Sequence, residues 1–207
     1  MLRFAKDNVV SYDARLTVHA VVESYMKYYL SRMRAKEACP PRKPFSKIVW
    51  SWVGSFLGIF LIASLGELWS FNQHSMLFLI GSFGASAVLI YGAPLAEFSQ
   101  PRNLVGGHVF SALVGVTVHI FVPDDLILAS SLAVSLSIAT MHFTRTLHPP
   151  GGATALIAVI GGSHVQSLGY WYALTPVLVG ALIMLMVALF VNNMSGNPKR
   201  HYPVYWW

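Results

Sequence analysis

The chain has 207 residues, 55% of them hydrophobic and 11% charged, with a mean hydropathy of +0.57. A soluble domain carries about 25% charged residues, so this composition excludes a soluble globular protein and requires a membrane protein. One cysteine, Cys39, excludes a disulfide framework and a cysteine-based metal site, and no nucleic-acid motif accompanies the net charge of +6.

Residues 1–47 hold ten of the fourteen Lys and Arg residues. They are polar and basic rather than a short apolar run with a small-residue cleavage site, and do not read as a signal peptide. Within them, 14–37 has helical periodicity, with Leu16, Val22, Met26, Tyr29, Leu30 and Met33 on one broad face. An amphipathic helix lying on anionic lipid is expected, or one docked on a partner subunit. Pro40, Pro41 and Pro44 end it.

Six apolar stretches follow, at 48–68, 75–93, 103–122, 126–143, 150–163 and 172–192. A regular span needs about 20 residues, so the fifth is short and reads as a re-entrant half-helix or a broken span. If all six cross from a cytoplasmic amino terminus, Arg102, Arg145, Lys199 and Arg200 share the cytoplasmic side with the basic segment. Glu67, Asp124 and Asp125 fall opposite, with no Lys or Arg. The positive-inside rule therefore favours six crossings with both termini cytoplasmic. Pro176 reads as a helix start or kink. In the tail, 194–207, Tyr202, Tyr205, Trp206 and Trp207 read as an interfacial anchor.

Gly84-Ala85-Ser86-Ala87-Val88-Leu89-Ile90 aligns with Gly152-Ala153-Thr154-Ala155-Leu156-Ile157-Ala158, 68 residues later, with three identities and three conservative differences. Each copy sits in the second of three stretches. The expected fold is an all-α six-span bundle of two inverted three-helix repeats, 48–122 and 126–192, whose second and fifth helices are broken. Helix amino termini in such a plan present free N–H groups to a small anion. Two unrelated small-residue packing faces would give the same signature.

His148-Pro149-Pro150 followed by Gly151-Gly152-Ala153-Thr154-Ala155 resembles the signature of the HPP family of integral membrane proteins. Gly84-Ala85-Ser86-Ala87, Gln100-Pro101-Arg102-Asn103 and Gly106-Gly107-His108 resemble that family too. The resemblance covers about 48–192, with Gly151 where many members have alanine. The family is usually described with four spans; short, broken second and fifth helices would escape a hydropathy window. Some chloroplast and cyanobacterial members are linked to nitrite transport. The resemblance therefore implies a small-anion transporter, with nitrite favoured and a bacterial inner membrane as the location.

Each candidate site residue carries two readings. Arg102 and Arg145, at matching cytoplasmic ends, either attract an anion or anchor the chain. Asn103 adds hydrogen-bonding capacity beside Arg102. His148 either meets an anion or a proton, or caps a loop carbonyl. His108 ranks above His119 because Gly106 and Gly107 open its approach. Ser86 and Thr154 either complete an anion shell or bond back to their own helices. Gly84, Gly151 and Gly152 would leave helix amides reachable. Glu97 either pairs with Arg102 or accepts a coupling proton, and a salt bridge at the rim is the favoured reading. No catalytic motif, metal cluster or cofactor is expected, and no nucleotide-binding loop is present, so the chain is not expected to be an enzyme. The expected partners are a small inorganic anion, membrane lipid and a second copy in a homodimer. A non-transporting scaffold or sensor is the alternative.

Overall fold

The computed structural model describes residues 14–35, 37–69, 80–196 and 200–207. Every regular element among them is helical. The chain divides into two units, Met1–Arg42 and Lys43–Trp207.

The first unit carries α1, Ala14–Ser31. It ends earlier than the predicted 37, which leaves Met33 outside the helix. Ser31 Oγ donates to the Tyr28 carbonyl at 2.7 Å, and the Arg32 amide is shared between the Tyr28 and Tyr29 carbonyls, tightening the last turn. Val22, Met26, Tyr29 and Leu30 remain as an exposed apolar row, and Glu23 pairs with Lys27 at 2.8 Å one turn apart.

The second unit is the bundle. Helix α2, Phe45–Trp69, follows Pro44, whose carbonyl takes the Lys47 amide at 3.0 Å. Helix α3, Gly81–Gly92, ends in a π turn from Val88 onward. The first residues of its predicted stretch, 75–79, lie outside the described residues. A 3-10 turn, Glu97–Ser99, leads into α4, Pro101–Phe121. Then come α5, Leu126–Phe143, α6, Pro149–Ile160, the short α7, Gly162–Gln166, and α8, Ala173–Met194. The start of α8 is π-helical because Thr175, ahead of Pro176, has extended dihedrals (φ −136°, ψ 114°). The break expected at Pro176 is thus present.

Among the described residues four helices, α2, α4, α5 and α8, are long and apolar enough to cross a membrane, and α3 and α6 are shorter apolar helices. At 1.5 Å per residue, twelve residues reach about 18 Å, against a hydrocarbon core of about 30 Å. The most apolar windows of α4 and α8 are 44% and 50% buried, against 17% for α2 and 22% for α5. So α4 and α8 form the centre and α2 and α5 the outside, with α3 and α6 packed on one another.

Two devices bring these helices close. Gly107, Ser111 and Gly115 recur every four residues along the α4 face that meets α6, a small-residue stripe suited to close backbone approach. A Cβ on Gly151 would sit 2.7 Å from the Gly107 carbonyl oxygen and 2.8 Å from Ser111 Oγ. On the other side, Gly54 of α2 faces the buried Tyr91 ring, whose hydroxyl donates to the Met184 carbonyl of α8 at 3.1 Å.

The tail is more than an anchor. Trp206 and Trp207 are exposed, but Tyr202 is 2% exposed and donates to the Ser99 carbonyl at 2.9 Å. Its main chain pairs twice with Asn193, at 2.6 and 3.0 Å. The Val204 amide donates to Gln100 Oε1 at 2.8 Å, so the tail closes over the start of α4.

Candidate functional site

Both proline motifs begin helices. Gln100 precedes Pro101 at the start of α4, and His148 precedes Pro149 at the start of α6, each with extended backbone. Proline fits the first helical position because its missing N–H would have no intrahelical acceptor. Gln100 Nε2 donates to the Pro94 and Ala96 carbonyls, both at 2.9 Å, which fixes the turn between α3 and α4. At His148 the backbone aims the side chain inward, where it is 0% exposed.

There His148 meets His108, Ser86 and Thr154, all 0% exposed, on α6, α4 and α3. His148 Nδ1 lies 2.7 Å from the Phe98 carbonyl oxygen, and its Nε2 lies 2.7 Å from Ser86 Oγ. Ser86 Oγ lies 2.7 Å from His108 Nε2, and His108 Nδ1 lies 2.7 Å from Thr154 Oγ1. Thr154 Oγ1 in turn donates to Ser82 Oγ at 2.8 Å. The result is a ladder of five hydrogen bonds through the middle of the bundle, with one longer side branch from Thr154 Oγ1 to the Pro150 carbonyl at 3.4 Å. Phe83 closes it edge-on, 5.2 Å from the His108 ring, and Tyr172 donates to the Thr154 carbonyl at 3.2 Å. The close approach depends on Gly107, since a Cβ there would sit 2.5 Å from His148 Cβ.

Counting hydrogens shows what the ladder can do. Each hydroxyl has one hydrogen, and a neutral imidazole has one N–H and one acceptor nitrogen. His148 Nδ1 faces a carbonyl and must carry a hydrogen. With both rings neutral, His148 Nε2 then takes the Ser86 hydrogen, and Ser86 accepts from His108 Nε2. His108 Nδ1 next needs the Thr154 hydrogen, so Ser82 must donate to Thr154. When Thr154 instead donates to Ser82, as its geometry favours, all five bonds are kept only if one ring carries a second proton. The ladder therefore has one complete neutral arrangement and two complete singly protonated ones, with the extra proton on His148 or on His108 and the polarity of the Ser86 bonds set by which ring holds it.

Of the predicted residues, Ser86, His108, His148 and Thr154 converge here. The competing expectation, hydroxyls folded back on their own helices, survives only as a 3.4 Å contact from Thr154 to the Pro150 carbonyl. Arg102 and Asn103 sit at the start of α4 instead. The Arg102 guanidinium lies over the Tyr205 ring at 5.2 Å, and its Nε is buried without a partner. No ion pair joins it to Glu97 among the described residues; Glu97 is exposed. Asn103 Nδ2 donates to the Leu147 carbonyl at 2.9 Å, tying α4 to the loop before α6. Arg145 is exposed in that loop with φ 57°.

The glycines are corrected. Gly84 does not begin a helix: α3 already starts at Gly81, and Gly84 is an exposed mid-helix position with nothing near it. Gly152 is the fourth residue of α6, not its start. Pro149 and Pro150 have no N–H, and the Gly151 amide donates to the His148 carbonyl at 2.8 Å. The amino end of α6 therefore offers less to an anion than two adjacent glycines suggest, and Gly151 serves close packing. Ser82, Phe98 and Tyr172 were not singled out from sequence. Ser82 was legible as a hydroxyl one turn before Ser86; the Phe98 carbonyl and Tyr172 carried no signal. Ser111 Oγ is buried beside Gly151 without a partner.

The family model of the HPP transmembrane region matches residues 40–203. Two proteins of Dictyostelium discoideum, each named only as a transmembrane protein, are similar to the chain. One is 42% identical over 198 residues, covering 94% of this chain and 62% of its own length. The other is 45% identical over 186 residues, covering 88% of this chain and 63% of its own length. The chain thus spans less than two thirds of these relatives. No solved structure matches it.

Proposed function

Because the chain belongs to the HPP transmembrane family, we propose that it is a permease for a small monovalent anion, with nitrite the favoured substrate. In this reading all six apolar helices complete the membrane domain, as inverted halves α2–α3–α4 and α5–α6–α8, with both termini cytoplasmic. The observation that carries it is the meeting of Ser86 and Thr154 on opposite nitrogens of His108. These are the matched hydroxyls of the two halves. Polar and ionisable side chains at membrane depth are costly, and they mark transport and proton pathways more than they serve packing.

The anion is gathered by Arg102 and Arg145 at the bundle end and passes the ladder. An isolated charge of either sign at that depth costs several kcal/mol. An anion arriving together with the proton that the ladder can accept is a neutral pair, so transport is electroneutral.

The test is flux into liposomes holding the purified protein, comparing nitrite, nitrate, formate, chloride and bicarbonate. Uptake of nitrite that is insensitive to membrane voltage, accompanied by a proton, and lost in folded Arg102→Ala and His148→Ala supports the reading. No flux for any anion, or flux indifferent to both substitutions, overturns it in favour of a scaffold or sensor.

A further inference from the structure

A second polar site lies apart from the ladder, at the amino end of α2. A cavity of about 240 Å³ opens there between Lys43, Lys47 and Trp50 on one side and Leu95 and Arg200 on the other, with the Ser46 and Ser195 hydroxyls at its edge. Among the described residues that line it, none carries a carboxylate. Lys43, Lys47 and Arg200 line the same cavity, so three like charges share it.

Arg200 is the fixed element. It is 4% exposed, and among the described residues its guanidinium is held by neutral oxygens: the Tyr91 carbonyl at 2.9 Å, Asn192 Oδ1 at 3.0 Å and the Lys47 carbonyl at 3.4 Å. Its Nε is buried and has no partner. A buried, charged donor left unsatisfied costs more than a neutral one, so this end of the bundle favours an acceptor that the described residues do not supply. The first turn of α2, a helix of 25 residues, adds the positive end of its dipole at Ser46.

The geometry points to a binding site for a phosphate oxyanion, the phosphodiester of an anionic phospholipid, at the interface end of α2. Three cations, a helix amino terminus and the Ser46 hydroxyl suit an anion with several oxygens. A compact monovalent solute could meet only part of that donor set. The depth also fits a lipid: basic Lys43 and Lys47 give way directly to the apolar run starting at Ile48, so the cavity lies at headgroup level. Trp50 and Leu95 supply apolar wall for the glycerol end. The inference is independent of which solute crosses the bundle.

Native mass spectrometry of the purified full chain in neutral detergent tests it, with phosphatidylglycerol, phosphatidylcholine and inorganic phosphate as separate probes. Phosphatidylglycerol should be retained at least tenfold more strongly than phosphatidylcholine. The double variant Lys43→Gln/Lys47→Gln should lose that preference, while Lys27→Gln on α1 should keep it. Both lysines are outside the packed core, and thermal unfolding verifies that the variants remain folded. Millimolar inorganic phosphate should fail to displace the lipid; saturable displacement would keep the oxyanion site and assign it to a soluble phosphate. Equal phosphatidylglycerol retention by the wild type and the double variant would overturn the proposal.

Discussion

Ser86→Ala removes the one atom that joins the two imidazoles of the ladder. Ser86 Oγ is 2.7 Å from Nε2 of each ring, and both rings are fully buried. The substitution deletes two hydrogen bonds at once and leaves one nitrogen donor and one nitrogen acceptor facing a methyl group. Each buried group left unsatisfied costs about 1–3 kcal/mol, so the two nitrogens cost about 2–6 kcal/mol together, and about 3 kcal/mol is taken from the lower half of that range. Helices separated within a membrane find other polar partners, and hydrogen bonds between them average about 0.6 kcal/mol. Two bonds at that value set a floor of about 1.2 kcal/mol. For a unit of this size, each 1 kcal/mol moves the midpoint by about 2–4 °C, so the larger figure predicts a fall of about 6–12 °C. Thermal unfolding in detergent reads it. Ser135→Ala is the control, because that exposed hydroxyl bonds only its own helix, at the Leu132 carbonyl, 3.3 Å away. A double cycle with His148→Ala should show coupling of at least about 0.5 kcal/mol. A Ser86→Ala midpoint within 1 °C of the control would refute the ladder as a connected network.

Two glycine substitutions separate packing from conformational freedom. Gly84→Ala should stabilise the protein by about 0.5–1 kcal/mol in the same melt, since its Cβ meets nothing within 4 Å in the middle of a helix; destabilisation would restore a close-approach role there. Gly107→Ala should cost at least about 1–3 kcal/mol and lower the folded yield on size-exclusion chromatography. Its Cβ would lie 2.8 Å from the Thr146 carbonyl oxygen as well as against His148, so relief requires α4 to move away from the start of α6.

Much of the bundle is legible in the sequence because its elements are set by local pattern. Apolar length marks α2, α4, α5 and α8, and the prolines mark the starts of α4 and α6 and the break in α8. The glycines were harder. Gly84 and Gly152 belong to matching strings, yet one is exposed and idle and the other buried inside a helix. A glycine reads the same whether its missing Cβ makes room for a ligand, for a neighbouring backbone or for nothing. Only the neighbours decide, and they are remote in sequence. Tyr202 was misread for a similar reason: an aromatic tail suits an interface, but Ser99 and Asn193 lie where its hydroxyl and main chain can bond.

The sequence by itself determined that this is a helical membrane protein, where its apolar helices lie, and that Ser86, Thr154, His108 and His148 were worth attention. Those conclusions follow from hydropathy, periodicity and the chemistry of individual side chains, none of which needs a partner. What only the tertiary structure decided is that these four side chains touch, in an order that fixes which nitrogen can hold a proton. It also decided that Arg200, distant in the chain, turns two ordinary lysines into one side of an oxyanion pocket. Hydrogen-bond connectivity and the summing of charges depend on distances of a few ångströms between separate helices, and packing alone sets those distances.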